Sequence, residues 1–257
     1  MDLIISTGCS YERGLGLNFY RWKEANLIKN HPYIDNHSWI GLISQEDSRF
    51  MEKNNYTGLV AKYFNSDVHS SRNYGCGNDE ILNWCVNHVD LMYPVKSLYN
   101  TKLIIVGLSD PYRDFGLLPS NATDTLDDLC EKLGIKKFEK EGLTSANISR
   151  QISAFDDYCE WWSKEVMPNF LDYVKNTLDC PILVWSWHKE LQKSVPKENR
   201  VWFKVDGDLF RNYSDVENNC SNLKMDVIEG VTDQHPNLEG HRIIADNIIR
   251  VYNENFT

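Results

Sequence analysis

The chain has 257 residues, of which 42% are hydrophobic and 25% are charged, and its formal net charge at pH 7 is −10. This composition is typical of a folded domain with a full apolar core, and the length fits one large α/β domain. The acidic balance disfavours nucleic acid as a partner, and no apolar run in the sequence is long enough to cross a membrane.

Five segments predict strands, because in each a short apolar run ends at a polar or glycine-containing turn. In chain order they are Leu3–Thr7, Asp67–Ser71, Lys102–Leu108, Pro181–Trp187 and Arg200–Val205. Two of them read "KLIIVGL" and "PILVWSW". Such continuous apolar runs are typical of parallel strands that are covered on both faces.

Between the strands, apolar residues recur at helical spacing and predict three long helices. The helices cover Asp79–Met92, Phe155–Leu178 with a kink at Pro168, and Leu238–Tyr252. Strands that alternate with helices predict a single domain over residues 1–257, built on one doubly wound α/β sheet. The polar stretches at about 18–57 and 110–150 are interpreted as insertions into that domain.

The seven cysteines include no Cys-x-x-Cys pair, and the chain begins with Met1, Asp2 and an apolar strand. We therefore expect reduced thiols in the cytoplasm, with neither a disulfide framework nor a metal site. No cofactor is expected. A nucleotide-binding domain is the weakest hypothesis, because "GLG" at 14–16 does not complete a dinucleotide fingerprint and no Walker stretch occurs.

Four polar segments are expected at one edge of the sheet. The loops that follow parallel strands meet at the carboxyl edge, where α/β proteins bind ligands. The segments are Gly8-Cys9-Ser10, "NYGCGND" at 73–79, "GLSDPYR" at 107–113 and "TDQHPNLEGH" at 232–241. Together they supply a serine hydroxyl, backbone donors in glycine-rich turns and an Asp-x-His pair, which are the parts of an acyl-transfer site.

The order of these motifs resembles the SGNH (GDSL-type) hydrolase family, in particular its bacterial and bacteriophage variants that begin with "GCSY". The matching patterns are Gly-x-Ser-x-x-x-Gly, Asn-x-Gly, Gly-x-x-Asp and Asp-x-His-Pro-Asn-x-x-Gly-His, and they cover the chain from Leu3 to about Tyr252. The resemblance implies a three-layer α/β/α, flavodoxin-like fold with a five-stranded parallel sheet. It also implies a serine esterase that cleaves short acyl esters, above all acetyl esters, of a carbohydrate or small metabolite.

The resemblance assigns the catalytic roles. Ser10 is implied as the nucleophile, His235 as the catalytic base and Asp233 as the acidic partner of that base. The oxyanion hole is implied at the backbone N–H groups of Ser10 and of one glycine in the second loop. That glycine is Gly75 or Gly77, and the sequence does not choose between them.

Two positions depart from the family pattern. Ser109 stands where the family has Asn, so the third oxyanion donor is either a hydroxyl or missing. The acid lies two residues before the histidine, which leaves Thr232 at the commoner position three residues before it. Asn78 and Arg113 are candidate substrate-binding residues, and both are candidates to support the oxyanion.

Other interpretations stay open at this stage. Ser10 also fits a helix cap, Cys9 raises a thiol nucleophile but is better interpreted as a packing residue, and His241 is a second imidazole that we interpret as structural. The alternative function is an SGNH-fold binding or structural module with impaired chemistry, such as a bacteriophage virion component. In that case the protein is associated with a virion or assembled as a homo-oligomer, and Ser109 is the residue that favours it.

Overall fold

The computed structural model of the protein describes residues 1–15, 17–24, 43–71, 76–109, 125–138, 148–188, 191, 193–220, 223–228 and 231–257. The strands are β1 (Asp2–Thr7), β2 (Asp67–Ser70), β3 (Asn100–Leu108), β4 (Ile182–Ser186), β5 (Phe203–Val205), β6 (Asp208–Phe210), β7 (Lys224–Ile228) and β8 (Val231–Pro236). The α-helices are α1 (Ser10–Arg13), α2 (Asn18–Glu24), α3 (Gln45–Asn54), α4 (Tyr56–Phe64), α5 (Asn78–Met92), α6 (Leu126–Leu133), α7 (Ile148–Trp161), α8 (Met167–Leu178), α9 (Tyr213–Asn219) and α10 (Leu238–Phe256).

A four-stranded parallel sheet organises the chain, with the strand order β2-β1-β3-β4. Strand β1 is therefore flanked on both sides, and Ile4 lies opposite Val68 on β2 and Leu103 on β3. The predicted α/β class and its parallel sheet are confirmed. Four of the five predicted strands are present, with ends within about two residues of the expected positions.

The fifth predicted strand, Arg200–Val205, is not confirmed as a member of this sheet. Its first residue forms a single parallel bridge with Val184 of β4, and Phe203–Val205 then pairs with β6 as a separate antiparallel ribbon. The cause is the two-residue turn Asp206-Gly207, in which both residues have positive φ angles of 51° and 95°. That combination is the backbone of a tight hairpin turn.

Helices cover both faces of the sheet, because alternate residues of each buried strand point to opposite sides. On one face, Ile5 and Val106 pack with side chains of α5 and α8. On the other face, Ile4 and Ile105 pack with side chains of α4 and α10. Within the described ranges, no helix is both long enough and apolar enough to span a membrane.

The predicted irregularity at Pro168 coincides with a change of helix type. A π-helical turn, Trp162–Val166, separates α7 from α8, and the N–H of Met167 bonds to the carbonyl oxygen of Trp162, five residues earlier. Pro168 has no N–H to donate and its ring excludes a carbonyl one turn back. A widened turn before the proline relieves that crowding.

The junction of α3 and α4 is closed by Asn55. Its Oδ1 accepts the N–H of Gly58 at 2.7 Å, while its Nδ2 donates to the carbonyl oxygen of Glu12 at 2.7 Å. A Cβ atom at Gly58 would lie 2.0 Å from the carbonyl oxygen of Glu52. The two helices can therefore meet at this angle only because residue 58 has no side chain.

We predict that Gly58→Ala destabilises the protein by about 1–3 kcal/mol, because the added methyl forces α3 and α4 apart. This cost outweighs the ~1 kcal/mol that alanine gains over glycine in a helix. Urea unfolding measures the difference, with Lys62→Ala on the exposed face of α4 as the control. A Gly58→Ala protein as stable as the wild type would refute this account of the junction.

Candidate active site

Two glycines shape the turn that follows β1. Gly8 has no room for a side chain, because a Cβ atom there would lie 2.8 Å from Cβ of Glu12 and 3.3 Å from the carbonyl oxygen of Gly107. Gly14 has a φ angle of 71°, in the left-handed region that glycine adopts without strain. Between the two glycines, Ser10 begins α1 and its side chain is half-buried.

Hydrogen bonds hold this turn, which we call the Ser10 turn (residues 8–14), against its neighbours. The N–H of Gly8 donates to Oγ of Ser71 at 3.2 Å, and that hydroxyl donates back to the carbonyl oxygen of Gly8 at 3.3 Å. From the other side, Asn55 donates to the carbonyl oxygen of Glu12. The Ser10 turn is thus fixed by the end of β2 and by the junction of α3 and α4.

Ser10 and Cys9 have different surroundings. Oγ of Ser10 forms no hydrogen bond with another described residue, and the Ser10 carbonyl oxygen accepts the N–H of Leu15 at 3.1 Å. Cys9 is half-buried and packs against the apolar clusters on both faces of the sheet. Cys9 therefore has a packing role in this structure.

The loops after β2 and β3 are joined by Asn78. This residue is fully buried at the start of α5, directly after the N-cap Gly77. Its Oδ1 accepts the N–H of Ser109 at 2.7 Å, and its Nδ2 donates to the carbonyl oxygen of Ser109 at 3.4 Å. The amide of Asn78 thus binds the backbone of Ser109. Gly75 and Arg113 lie outside the described residues.

Strand β8 brings the C-terminal motif next to the Ser10 turn. Cα atoms of α1 and β8 approach within 8 Å of each other. His235 is half-buried near the end of β8, and the backbone of Asp233 pairs with Met225 of β7. The side chain of Asp233 lies outside the described part of the chain. The structure therefore brings the segments that carry Ser10 and His235 together.

The second imidazole of the motif, His241, is fully buried in α10. Its Nδ1 accepts the N–H of Tyr56 at 3.2 Å, and its ring stacks on that of Tyr56 with the centroids 6.1 Å apart. Burial, and to a smaller degree the electrostatic influence of nearby His235, lowers the pKa of His241 to about 3. His241 is therefore neutral at pH 7 and holds the start of α4.

One feature of the site was not predicted from the sequence, namely the burial of Glu12. Its side chain is only 1% exposed, although glutamate is almost never fully buried without a partner. The only signal in the sequence is the position of Glu12 between the two glycines of a tight turn. Burial also raises the pKa of this carboxyl well above its usual range.

Within the described ranges, no group of three or more His, Cys, Asp or Glu side chains lies close enough together to hold a metal ion. Comparison of the chain with protein-family models, curated proteins and solved structures finds no match in any of the three.

The neutral state of His241 predicts a specific loss of stability in acid. The unfolded chain takes up a proton at this histidine below about pH 6.5, and the folded protein does so only near pH 3. The stabilisation is therefore complete above pH 6.5 and is lost as the pH falls towards 3, by at most about 5 kcal/mol. His241→Gln can still accept the N–H of Tyr56 and does not titrate.

We expect His241→Gln to lose about 3 kcal/mol less than the wild type when the pH falls from 6.5 to 4. Urea unfolding at each pH measures this difference. Asp246→Asn, at an exposed position on the same helix, should follow the wild-type profile. Equal losses in the wild type and His241→Gln would show that the buried imidazole is not neutral.

Proposed function

We propose that the protein is a serine esterase of the SGNH (GDSL) type, which removes a short acyl group, acetyl in the first instance, from a carbohydrate or small metabolite. The observation that carries this proposal is the Ser10 turn at the carboxyl end of β1, beside the strand of His235. The proposal includes a three-layer α/β/α, flavodoxin-like fold in which Arg200–Val205 stands in the place of the fifth strand. The bridge between Val184 and Arg200 supports that position.

The proposed reaction has two steps. Oγ of Ser10 attacks the acyl carbon while His235 takes its proton, and His235 then returns that proton to the leaving alcohol. Water hydrolyses the acyl-enzyme by the same route. Asp233 holds the imidazole in the required tautomer and stabilises its positive charge.

The oxyanion donors of the proposed site are the backbone N–H groups of Ser10 and of Gly77 or Gly75. The N–H of Ser109 already donates to Oδ1 of Asn78. The group of Ser109 that can still donate to the oxyanion is therefore its hydroxyl. Loss of one such donor lowers kcat by about a hundredfold or more. The hydroxyl of Ser109 is therefore an essential part of the proposal, and Arg113 is retained as a residue that binds substrate.

A binding or structural module with impaired chemistry is the second candidate function. The observation that favours it is also Ser109, because a rotating hydroxyl is a less preorganised donor than the amide that the family carries at this position. A virion component or a homo-oligomer of the same fold fits this candidate. The two candidates differ in whether the purified protein turns over an ester.

We predict that the wild-type protein hydrolyses p-nitrophenyl acetate and that Ser10→Ala lowers kcat by more than about a thousandfold. The fold should persist, because Ser10 is half-buried and its hydroxyl bonds to no described residue. Release of p-nitrophenol measures the rate, and circular dichroism checks the fold.

Cys9→Ala is the matched control, one residue away, and should keep most of the activity. If Cys9→Ala abolishes activity and Ser10→Ala does not, the nucleophile is the thiol. If the wild type has no activity, the impaired module is the better description.

A further inference from the structure

Glu12 is a buried carboxyl in the same short helix as the candidate nucleophile. It follows Ser10 by two residues in α1, and its side chain turns away from solvent to pack against Gly8. Neither carboxyl oxygen of Glu12 forms a hydrogen bond with a described residue within 3.5 Å. Buried carboxyl oxygens in proteins are ordinarily hydrogen-bonded, so this carboxyl, two residues from the candidate nucleophile, is an exception.

Within the described part of the chain, the groups close to the carboxyl of Glu12 are mainly hydroxyls. The carboxyl lies close to the hydroxyls of Ser6, Ser70 and Ser71, at the ends of β1 and β2. Tyr56 on α4 interacts with it electrostatically, because Glu12 raises the pKa of the Tyr56 hydroxyl. Among the described residues, the positive charge that acts on Glu12 is that of Arg13, the next residue of its own helix, and its effect on the pKa of Glu12 is smaller than those of burial and of the Ser6 and Ser70 hydroxyls. Cys9 is a further titratable group near this cluster, through its electrostatic effect on Tyr56.

Two of these hydroxyls, those of Ser6 and Ser71, have part of their hydrogen-bonding capacity filled. Oγ of Ser71 donates to the carbonyl oxygen of Gly8 and accepts its N–H, and Oγ of Ser6 lies 3.1 Å from Oγ1 of Thr57. A serine oxygen has two lone pairs, so each of these two hydroxyls can accept one more hydrogen bond. An ionised carboxylate has no proton to give, whereas a carboxylic acid has one.

An ionised Glu12 in this position is physically expensive. The free energy needed to bury a carboxylate without a cation or a set of donors exceeds the net free energy of unfolding of a typical protein. Such groups therefore bind a proton instead. A bound proton removes the charge and supplies the donor that the surrounding hydroxyl oxygens accept.

We propose that Glu12 is a neutral carboxylic acid in the folded protein, and that its O–H turns the close approach to the hydroxyls of Ser6 and Ser71 into a donated hydrogen bond that positions the Ser10 turn. The bond ties α1 to the ends of β1 and β2. Asn55 holds the same residue by its carbonyl oxygen, so Glu12 is anchored at both its backbone and its side chain. The importance of Glu12 for catalysis rests on the proposed esterase function. The protonation of Glu12 and its role as an anchor of the Ser10 turn do not depend on that function.

The first test compares Glu12→Gln with the wild type over a range of pH. The unfolded chain ionises at Glu12 above about pH 4.5, and the folded protein does so only at a much higher pH. The wild type therefore loses stability as the pH rises from about 4.5 towards the pKa of the folded state. Glutamine does not ionise, so Glu12→Gln lacks this loss of stability. Its Tm should therefore rise relative to that of the wild type between pH 5 and pH 8.

The matched control is Glu52→Gln, at an exposed position on α3, which should keep a constant difference from the wild type. The unfolded chain also titrates at His241 in part of this range, but this residue is the same in all three proteins, so its contribution cancels in the comparison. If the difference between Glu12→Gln and the wild type stays constant or falls with pH, Glu12 is ionised in the folded protein and the proposal is wrong.

The second test measures the anchor with Glu12→Met, which has similar length and no donor. Hydrogen exchange of the peptide that covers residues 8–15 should become at least about tenfold faster in Glu12→Met and stay near the wild-type rate in Glu12→Gln. With p-nitrophenyl acetate, Glu12→Met should lower kcat by about ten- to a hundredfold with KM unchanged, and Glu12→Gln should restore it.

The outcomes separate this inference from the esterase proposal. If the wild type is inactive but both the Tm and the exchange results appear as expected, the esterase proposal fails and the anchor stands. If Glu12→Met exchanges at the wild-type rate in the Ser10 turn, the anchor is refuted whatever the activity. Should Glu12→Met not fold, the Tm comparison with Glu12→Gln still decides whether the carboxyl is protonated.

Discussion

The close approach of the backbone where β1 and β3 leave the sheet is the constraint on which the site depends. A Cβ atom at Gly8 would lie 3.3 Å from the carbonyl oxygen of Gly107, and one at Gly107 would lie 3.0 Å from the indole of Trp185. Because Gly8 and Gly107 have no side chains, the chain passes within three residues from the buried end of β1 to the half-buried Ser10. A larger residue at either glycine would push the Ser10 turn away from the sheet edge, and hence away from β8.

Beneath this turn the protein keeps polar groups where a core is ordinarily apolar. Besides Glu12, the hydroxyl of Tyr56, Nε1 of Trp185 and Nε2 of His241 are buried without a hydrogen-bond partner among the described residues. Such groups each cost about 1–3 kcal/mol of stability. Proteins depart from the rules of core packing mainly at functional sites. These four groups are connected, because the rings of Trp185 and His241 both contact that of Tyr56, which interacts electrostatically with Glu12. That connection links the stability of the domain to the reactivity that we propose for Ser10.

The sheet and its carboxyl edge could be predicted from the sequence, because four apolar runs each end at a turn and parallel pairing brings their ends together. The fifth strand could not, because Val201 and Phe203 are buried like strand residues while Asp206-Gly207 turns the chain back on itself. The loop order placed the motifs of Ser10 and His235 at one edge. The burial of Glu12 depends on the packing of α4 and β2 around it, which the local sequence does not encode.

The central claim is that Ser10 is an activated nucleophile, and a fluorophosphonate probe tests it most directly because it needs no knowledge of the substrate. The probe reacts with a serine only where a base and oxyanion donors act on it. Mass mapping of the labelled protein should find the adduct on Ser10, with labelling that weakens as the pH falls through the range in which imidazoles take up protons. Intact, folded protein that takes no label, or takes it on another residue, would contradict the account.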